Sequence, residues 1–138
     1  MGANRGYVKT LLGRKCRFNL YEPFDRREIP YPLERAMDEY GGRLKRAYTY
    51  KAMNRLIQGS AADMTKKAML NLYKEGILAH TQVHDELNIS IEDKKECEKV
   101  IEIMRDCVEL KVPNKVDAEI GKSWGDVKDY EEYFNEKN

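Results

Sequence analysis

The chain has 138 residues, with 25 lysines and arginines against 24 aspartates and glutamates, so its formal net charge at pH 7 is only +1. A chain of this length predicts one domain with a modest core. The near balance of charge excludes the strongly basic and strongly acidic classes of protein. No apolar run approaches the roughly 20 residues of a membrane-spanning helix, and no secretory signal opens the sequence, so we expect no membrane partner.

The N-terminal stretch is basic and has no acidic residue before Glu22. Its basic residues are Arg5, Lys9, Arg14, Lys15 and Arg17. A basic arm of this kind is typical of salt-sensitive contacts to nucleic-acid phosphates, and the commoner alternative is a solvated charged face. The C-terminal third is instead rich in aspartate and glutamate.

The first 42 residues predict a basic strand followed by an irregular arm. Residues 7–12 predict a short strand that ends at Gly13, and Pro23, Pro30 and Pro32 predict irregular structure after it. Residues 33–40 predict a short helix that stops at Gly41 and Gly42. We expect residues 43–138 to form the core of the same domain, as a helix, a hairpin, a second helix and a strand.

A long amphipathic helix is predicted from residue 43 to about residue 73, where no proline occurs. Its apolar positions recur at spacings of three and four; they are Met53, Leu56, Ile57, Ala61, Met64, Ala68 and Leu72. Gly59 and Ser60 lie in its middle, although glycine costs about 1 kcal/mol relative to alanine in a helix interior. We therefore expect another segment to pack very closely at this point.

A hairpin is predicted after the long helix. Residues 78–83 and 87–91 alternate apolar with polar side chains, which places His84, Asp85 and Glu86 at the tip between two strands. Adjacent carboxylates on a rigid turn suit a hard cation such as Mg²⁺, which takes one or two protein carboxylates. An ordinary surface turn is the alternative, because turns favour aspartate.

The C-terminal part predicts a second helix and a last strand. Asp93 caps a helix that runs to about residue 110, residues 116–120 form the strand, and Trp124 is expected to anchor the end of the chain. The predicted fold is α+β: a small antiparallel sheet with a central hairpin, packed on one face by the long helix and the second helix. The three cysteines lack metal-site spacing and predict free thiols.

Four segments in order give the chain a family resemblance. They are G-Y-V-K-T-L-L-G-R at residues 6–14, N-R-L-I-Q-G-S-A-A-D at 54–63, V-H-D-E-L at 83–87 and G-K-S-W at 121–124. With these segments the chain resembles the family A DNA polymerases of the bacterial polymerase I type, and in particular their phage-encoded members. The resemblance spans almost the whole chain and implies a polymerase palm. The predicted free thiols and the lack of a secretory signal indicate a cytoplasmic location, in a bacterial cell or a phage-infected host.

The resemblance assigns roles to individual residues. In the family, V-H-D-E is the palm motif called C, so Asp85 would be a catalytic metal ligand with Glu86 as its acidic neighbour. His84 would approach the primer terminus, while Gln58 and Asn54 would contact DNA from the Q-G helix. Arg14, Lys15 and Arg17 would lie along the primer-template. The implied cofactor is Mg²⁺ in a two-metal site, of which this chain supplies half.

The departures from the family pattern limit what the chain does alone. The second metal-binding aspartate, from a strand reading roughly D-Y-S-Q-I-E, does not occur, and neither does the fingers helix that binds the incoming nucleotide. Most relatives carry Glu-Arg where this chain has Thr49 and Tyr50, so a DNA-contacting arginine would be either lost or replaced by Arg46 or Tyr50. The chain resembles the C-terminal piece of a polymerase.

The resemblance also implies partners. In the complete enzyme these are primer-template DNA, deoxynucleoside triphosphates and a second polypeptide that carries the fingers and the motif A aspartate. The alternatives are a non-catalytic DNA-binding or structural module derived from a palm, and a fragment without a separate role.

Overall fold

The structure is a computed structural model that describes residues 5–136. The chain falls into two compact units, with the boundary between Asp63 and Met64. This boundary lies inside the long helix.

The first unit contains a hairpin, a three-stranded sheet, a short helix and the start of the long helix. The hairpin pairs β1 (Tyr7–Lys9) with β2 (Lys15–Arg17). The sheet has the order β4–β3–β5 and is antiparallel throughout. Its strands and the short helix are β3 (Leu20–Pro23), β4 (Tyr31–Pro32), α1 (Leu33–Tyr40) and β5 (Leu44–Arg46).

The predicted short helix is confirmed, but the prediction of an irregular arm was wrong. Helix α1 ends at Gly41, whose φ of 56° is the left-handed conformation that favours glycine. The arm contains three strands, and its longest stretch without regular structure is residues 24–30, which include Pro30. The other two prolines occupy strand ends. Pro23 is the last residue of β3 and Pro32 the last residue of β4, positions at which the missing N–H does least harm to a ladder.

The long helix α2 spans Ala52–Lys74, so it begins nine residues later than predicted. The preceding residues pair with β3 as strand β5, and a single 3-10 turn, Thr49–Lys51, leads into the helix. Tyr48 has a φ of 60°. A left-handed residue costs about 1–2 kcal/mol without glycine and ends any helix that would run through it.

The second unit contains the end of α2, two hairpins and two helices. The elements are β6 (Ala79–Val83), β7 (Glu86–Ile89), α3 (Lys94–Arg105), β8 (Glu119–Ser123), β9 (Asp126–Asp129) and α4 (Tyr130–Asn135). Leu72, Ile77 and Val100 form its core. Apolar residues of β7 and α3 pack against that core. The prediction of a hairpin packed by the long helix and a second helix is therefore confirmed, within an α+β fold.

The details of the second unit correct several expectations. The strands of the chain form four separate antiparallel sheets among the described residues, not one. The last predicted strand begins at Glu119 and pairs with β9. Trp124 lies in the turn between these strands and is 74% exposed, so it does not anchor the chain. Helix α3 begins after Asp93, whose side chain accepts a hydrogen bond from the Glu96 amide, as predicted, but it ends at Arg105.

The packing of the β1–β2 turn on α2 confirms the close approach expected at Gly59 and Ser60. A Cβ atom built at Gly59 would lie 2.9 Å from Cγ2 of Thr10, which is buried. The Leu11 amide donates to Oγ of Ser60 over 2.9 Å, and that hydroxyl donates to the Leu56 carbonyl over 2.7 Å. The small side chains thus admit a turn that hydrogen-bonds to the helix.

The apolar face of α2 is buried only along its C-terminal part. Ala68 and Leu72 are buried, whereas Met53, Ile57 and Ala61 are exposed. The three cysteines are free, as predicted, and burial raises the pKa of the Cys97 and Cys107 thiols, which makes them poor nucleophiles. In the described part of the chain, no helix has the length and apolarity to cross a membrane.

We predict that Gly59→Ala lowers the free energy of unfolding by about 1 kcal/mol. The added methyl group collides with Thr10, and overpacking costs about 1–3 kcal/mol. The better helix propensity of alanine offsets about 1 kcal/mol of that cost. Urea unfolding of the two proteins measures the difference.

Two further variants identify the cause. Gly59→Ala combined with Thr10→Ser removes the colliding methyl group and keeps the hydroxyl that accepts from the Arg14 amide, so we expect stability to return. Gly125→Ala is the matched control, because a Cβ atom there meets nothing within 4 Å. A double variant as unstable as Gly59→Ala alone would show that the Thr10 contact is not the cause.

Candidate nucleic-acid interface and metal site

The predicted carboxylate turn is a two-residue connection in the β6–β7 hairpin. Val83 pairs with Glu86, so His84 and Asp85 form the turn and Glu86 opens strand β7. His84 has a φ of 54°. Within residues 5–136, His84 and Tyr48 are the two non-glycine residues with positive φ. The tight turn therefore places Asp85 at the end of the β6–β7 ladder, with Glu86 as the first residue of β7.

Side-chain hydrogen bonds brace this hairpin. Nε2 of Gln82 donates to the His84 carbonyl over 3.0 Å, which ties the turn to its own strand. Further from the turn, Nδ2 of Asn88 donates to Oγ1 of Thr81 over 3.0 Å. The side chains of His84, Asp85 and Glu86 are exposed. The turn is therefore fixed by its neighbours, while its carboxylates face solvent.

The donor chemistry of Asp85 and Glu86 is compatible with a magnesium ion. Asp85 and Glu86 supply the oxygen ligands that Mg²⁺ prefers, and this ion keeps its remaining positions for water or phosphate oxygens. In the part of the chain that the structure describes, no group of three or more histidine, cysteine, aspartate or glutamate side chains converges as a metal cluster.

One face of the β1–β2 hairpin is a cluster of exposed cations. Lys9 pairs with Lys15 across the ladder and Tyr7 pairs with Arg17, so these four side chains share one face. Lys9, Lys15 and Arg17 are exposed, and Nζ of Lys15 lies 4.9 Å from the centre of the Tyr7 ring. Like charges directly opposite each other destabilise a hairpin. An anionic ligand on this face would relieve the repulsion.

Arg14 is held by α2. Its Nε donates to Oδ1 of Asp63 over 2.8 Å and its Nη2 donates to the Gly59 carbonyl over 2.9 Å. The Asp63 side chain is 8% exposed and that of Arg14 is 50% exposed. Asp63 therefore has a structural role in the first unit. Removing Arg14 would take a 2.8 Å ion pair from a buried carboxylate, which is destabilising.

The other predicted DNA-binding residues differ in their surroundings. Asn54 and Gln58 are four residues apart in α2 and both are exposed, so they lie on one face of the helix. Arg46 is half-buried: its Nη1 donates to the Phe18 carbonyl over 2.9 Å, and its guanidinium lies 5.0 Å from the centre of the Tyr21 ring. Its guanidinium is therefore partly used within the first unit.

A second acid-free stretch, missed in the sequence analysis, adds to the basic character of the first unit. Residues 40–62 contain no aspartate or glutamate and include Arg43, Lys45, Arg46, Lys51 and Arg55. Residues 1–63 hold 13 lysines and arginines against seven acids, whereas residues 64–138 hold 12 against 17. The net charge of the whole chain is near zero because the basic first unit and the acidic second unit offset each other. A count of charged residues in separate segments of the sequence would have shown this difference.

Comparison with known proteins gives a consistent result. The family model for DNA polymerase family A matches residues 2–126. A DNA-directed DNA polymerase of Pseudomonas phage M6 is 42% identical over 120 residues, which cover 87% of this chain and 15% of that protein. DNA polymerase I of Bacillus caldotenax is 38% identical over 134 residues, which cover 90% of this chain and 13% of the relative.

A more distant relative shows the same pattern. The thermostable DNA polymerase I of Thermus filiformis is 34% identical over 134 residues, covering 92% of this chain and 14% of that protein. The chain thus spans less than a sixth of the length of each of these relatives. Since the family model covers most of its residues, the chain belongs to DNA polymerase family A.

Proposed function

We propose that this chain is the palm part of a DNA-directed DNA polymerase, which supplies the metal-binding aspartate and primer-template contacts for nucleotidyl transfer in DNA replication. The observation that carries the proposal is an exposed aspartate, Asp85, in a braced two-residue turn that Glu86 follows directly at the start of β7, in a chain of this family. Asp85 is the principal metal ligand and Glu86 is its weaker neighbour. Bound Mg²⁺ would lower the pKa of the primer 3′-hydroxyl and stabilise the charge of the leaving pyrophosphate.

The turn explains how Asp85 performs this role. Its short connection and the hydrogen bond from Gln82 to the His84 carbonyl restrain the backbone that carries the carboxylate, so little backbone entropy is lost when a ligand binds. His84 lies beside it in the turn, exposed and able to donate a hydrogen bond to the primer end. Preorganisation of this kind is what a metal site needs from its first ligands.

The DNA contacts come from the first unit in this proposal. Lys15 and Arg17 neutralise phosphates from the cationic face of the hairpin, with Lys9 beside them. Asn54 and Gln58 reach base or sugar edges from the exposed face of α2. The two kinds of contact have different roles, because phosphate contacts position the DNA and amide side chains hydrogen-bond to the edges of its bases. Arg14 and Arg46 contribute the part of each guanidinium that packing leaves exposed.

A second polypeptide completes the enzyme. One turn with two carboxylates cannot offset the repulsion between two divalent cations held close together. The partner therefore supplies the motif A aspartate, together with the fingers that bind the deoxynucleoside triphosphate. Large apolar side chains on the first unit are exposed, among them Phe24, Ile29, Met53 and Ile57, and a partner that covered them would remove apolar surface from water.

The alternative function is a DNA-binding module without catalysis. The basic first unit favours it, because phosphate binding by that unit needs no metal. The two functions differ in the role of Asp85. A polymerase needs its negative charge to bind metal, whereas a DNA-binding module binds phosphates without it.

We predict that primer extension appears when this chain is mixed with a chain that carries the motif A aspartate and the fingers, and that Asp85→Asn abolishes it. The substitution keeps the size of the side chain and removes the charge that holds the metal. Because Asp85 is exposed in a turn, folding and DNA affinity should change little. Incorporation of labelled nucleotide measures the activity.

The matched variant is Glu86→Gln, which removes a neighbouring charge and should reduce activity less. The isolated chain is expected to incorporate nothing with any divalent metal. Thermal melts of each variant control for folding. Activity of the Asp85→Asn mixture within a few-fold of the parent would contradict the catalytic role and favour the DNA-binding module.

We also predict weak, sequence-independent binding of duplex DNA by the isolated chain, with a steep dependence on salt. Each phosphate contact contributes about 0.9 to the slope of log K against log salt concentration. Lys9→Gln and Lys15→Gln should each reduce the magnitude of that negative slope by about 0.9. Fluorescence anisotropy of labelled duplex DNA measures it.

The control is Lys111→Gln, which changes the net charge equally at an exposed position of the second unit. Its slope should equal that of the parent. If all three variants lowered the slope alike, the binding would reflect overall charge and not the hairpin face.

A further inference from the structure

An aromatic junction precedes helix α2, made of Tyr48, Tyr50 and Lys51. Nζ of Lys51 lies 5.1 Å from the centre of the Tyr48 ring and 5.7 Å from the centre of the Tyr50 ring. The ammonium group therefore contacts both rings, and it restrains them by cation–π attraction. Tyr50 is nevertheless 76% exposed, so most of its ring faces solvent.

The backbone of the junction is constrained. Tyr48 adopts its positive φ immediately before the 3-10 turn, and the turn closes with a hydrogen bond from the Lys51 amide to the Tyr48 carbonyl over 2.9 Å. This hydrogen-bonded turn restrains the backbone from which the Tyr50 and Lys51 side chains extend. A preorganised aromatic ring loses little entropy when a planar ligand stacks on it.

The charge around the junction favours an anionic ligand. It lies within residues 40–62, which contain no acidic residue. An exposed aromatic ring beside an uncompensated lysine combines a stacking surface with a phosphate contact. These two features together are how proteins bind single-stranded nucleic acid without reading its sequence.

The junction also continues the exposed face that carries Asn54 and Gln58. Lys51, Asn54 and Gln58 are separated by three and four residues, so they follow one side of the helix. From Gln58 to Lys51 the helix rises about 10 Å, at about 1.5 Å per residue. Neighbouring nucleotides of one strand are about 3.4 Å apart, so this distance corresponds to about three nucleotides.

We propose that the aromatic junction binds an unpaired nucleotide of the template strand, with its base stacked on Tyr50 and its phosphate on Lys51. The inference rests on the proposed function, because it extends the path of DNA along α2. An unpaired nucleotide is required, since the bases of a duplex are stacked on each other and offer no face to a tyrosine ring. Sequence preference is not expected, because every base has such a face.

The test compares two labelled DNAs that share one duplex. One is blunt and the other has a short 5′ template overhang of unpaired thymines. We expect the parent chain to bind the overhang DNA more tightly than the blunt DNA, and Tyr50→Ala to remove this preference, with a loss of about five-fold or more on the overhang DNA alone. Tyr50→Phe keeps the ring and should keep the preference, whereas Tyr50→Leu is apolar without a ring and should lose it.

Two controls make the outcome specific. Tyr73→Ala removes another exposed tyrosine, in the second unit, and should leave both affinities unchanged. For the overhang DNA, Lys51→Gln should reduce the magnitude of the slope of log K against log salt concentration by about 0.7, the value for one phosphate of a single strand. Thermal melts compare folding of the variants.

The outcomes separate this inference from the proposed function. If the parent binds both DNAs equally, or if Tyr50→Ala weakens both by the same factor, the stacking role is overturned while duplex binding and the proposed function stand. If the parent binds neither DNA, both proposals fail together.

Discussion

The close approach of the β1–β2 turn to Gly59 is the contact on which the arrangement of the first unit depends. Because Gly59 has no side chain, Thr10 packs against the helix, and the Leu11 amide reaches Ser60. Arg14 then bonds to the Gly59 carbonyl and to Asp63 one turn later. The side of the hairpin that carries Cys16 faces this contact, so its opposite face, with Lys9, Lys15 and Arg17, is left to solvent.

The two units divide charge in a way that suits the proposed chemistry. The first unit has an excess of cations and the second an excess of carboxylates, which include Asp85 and Glu86. A basic surface attracts the phosphates of DNA, and an acidic turn attracts divalent cations. A chain with the same net charge but no such division would offer weaker attraction to both ligands. The distribution of charge between the two units is therefore more informative about function than the net charge of the chain.

The sequence predicted those elements whose signals are local. Alternating side chains predicted the β6–β7 hairpin, Gly41 predicted the end of α1, and Asp93 predicted the start of α3. The start of α2 was missed because helical periodicity continues through residues 43–51, while pairing with β3 and the positive φ of Tyr48 are set by the rest of the first unit. Periodicity likewise marked Met53 as buried, since a repeat does not show which part of a helix is covered.

Residue types in the sequence predicted where the candidate site residues lie. They did not predict which of these side chains also make contacts within the protein. The exposed carboxylate turn occurs where the motif indicated, and Asn54 and Gln58 lie on an exposed helix face. Arg14 and Arg46 have the charge expected of DNA ligands, but packing occupies part of each guanidinium. Such contacts join residues far apart in the chain, so the local sequence does not contain them. The roles of these residues toward DNA and metal stay predictions.

The central claim is that the β6–β7 turn is half of a metal site, and the most direct measurement is a titration of the isotope-labelled chain with Mn²⁺, followed by nuclear magnetic resonance. Mn²⁺ stands in for Mg²⁺ and broadens the signals of nearby amides. We expect weak binding that first broadens His84, Asp85 and Glu86, is reversed by Mg²⁺ and is lost in Asp85→Asn. Broadening spread over the acidic second unit without preference for the turn, or unchanged in Asp85→Asn, would contradict the claim.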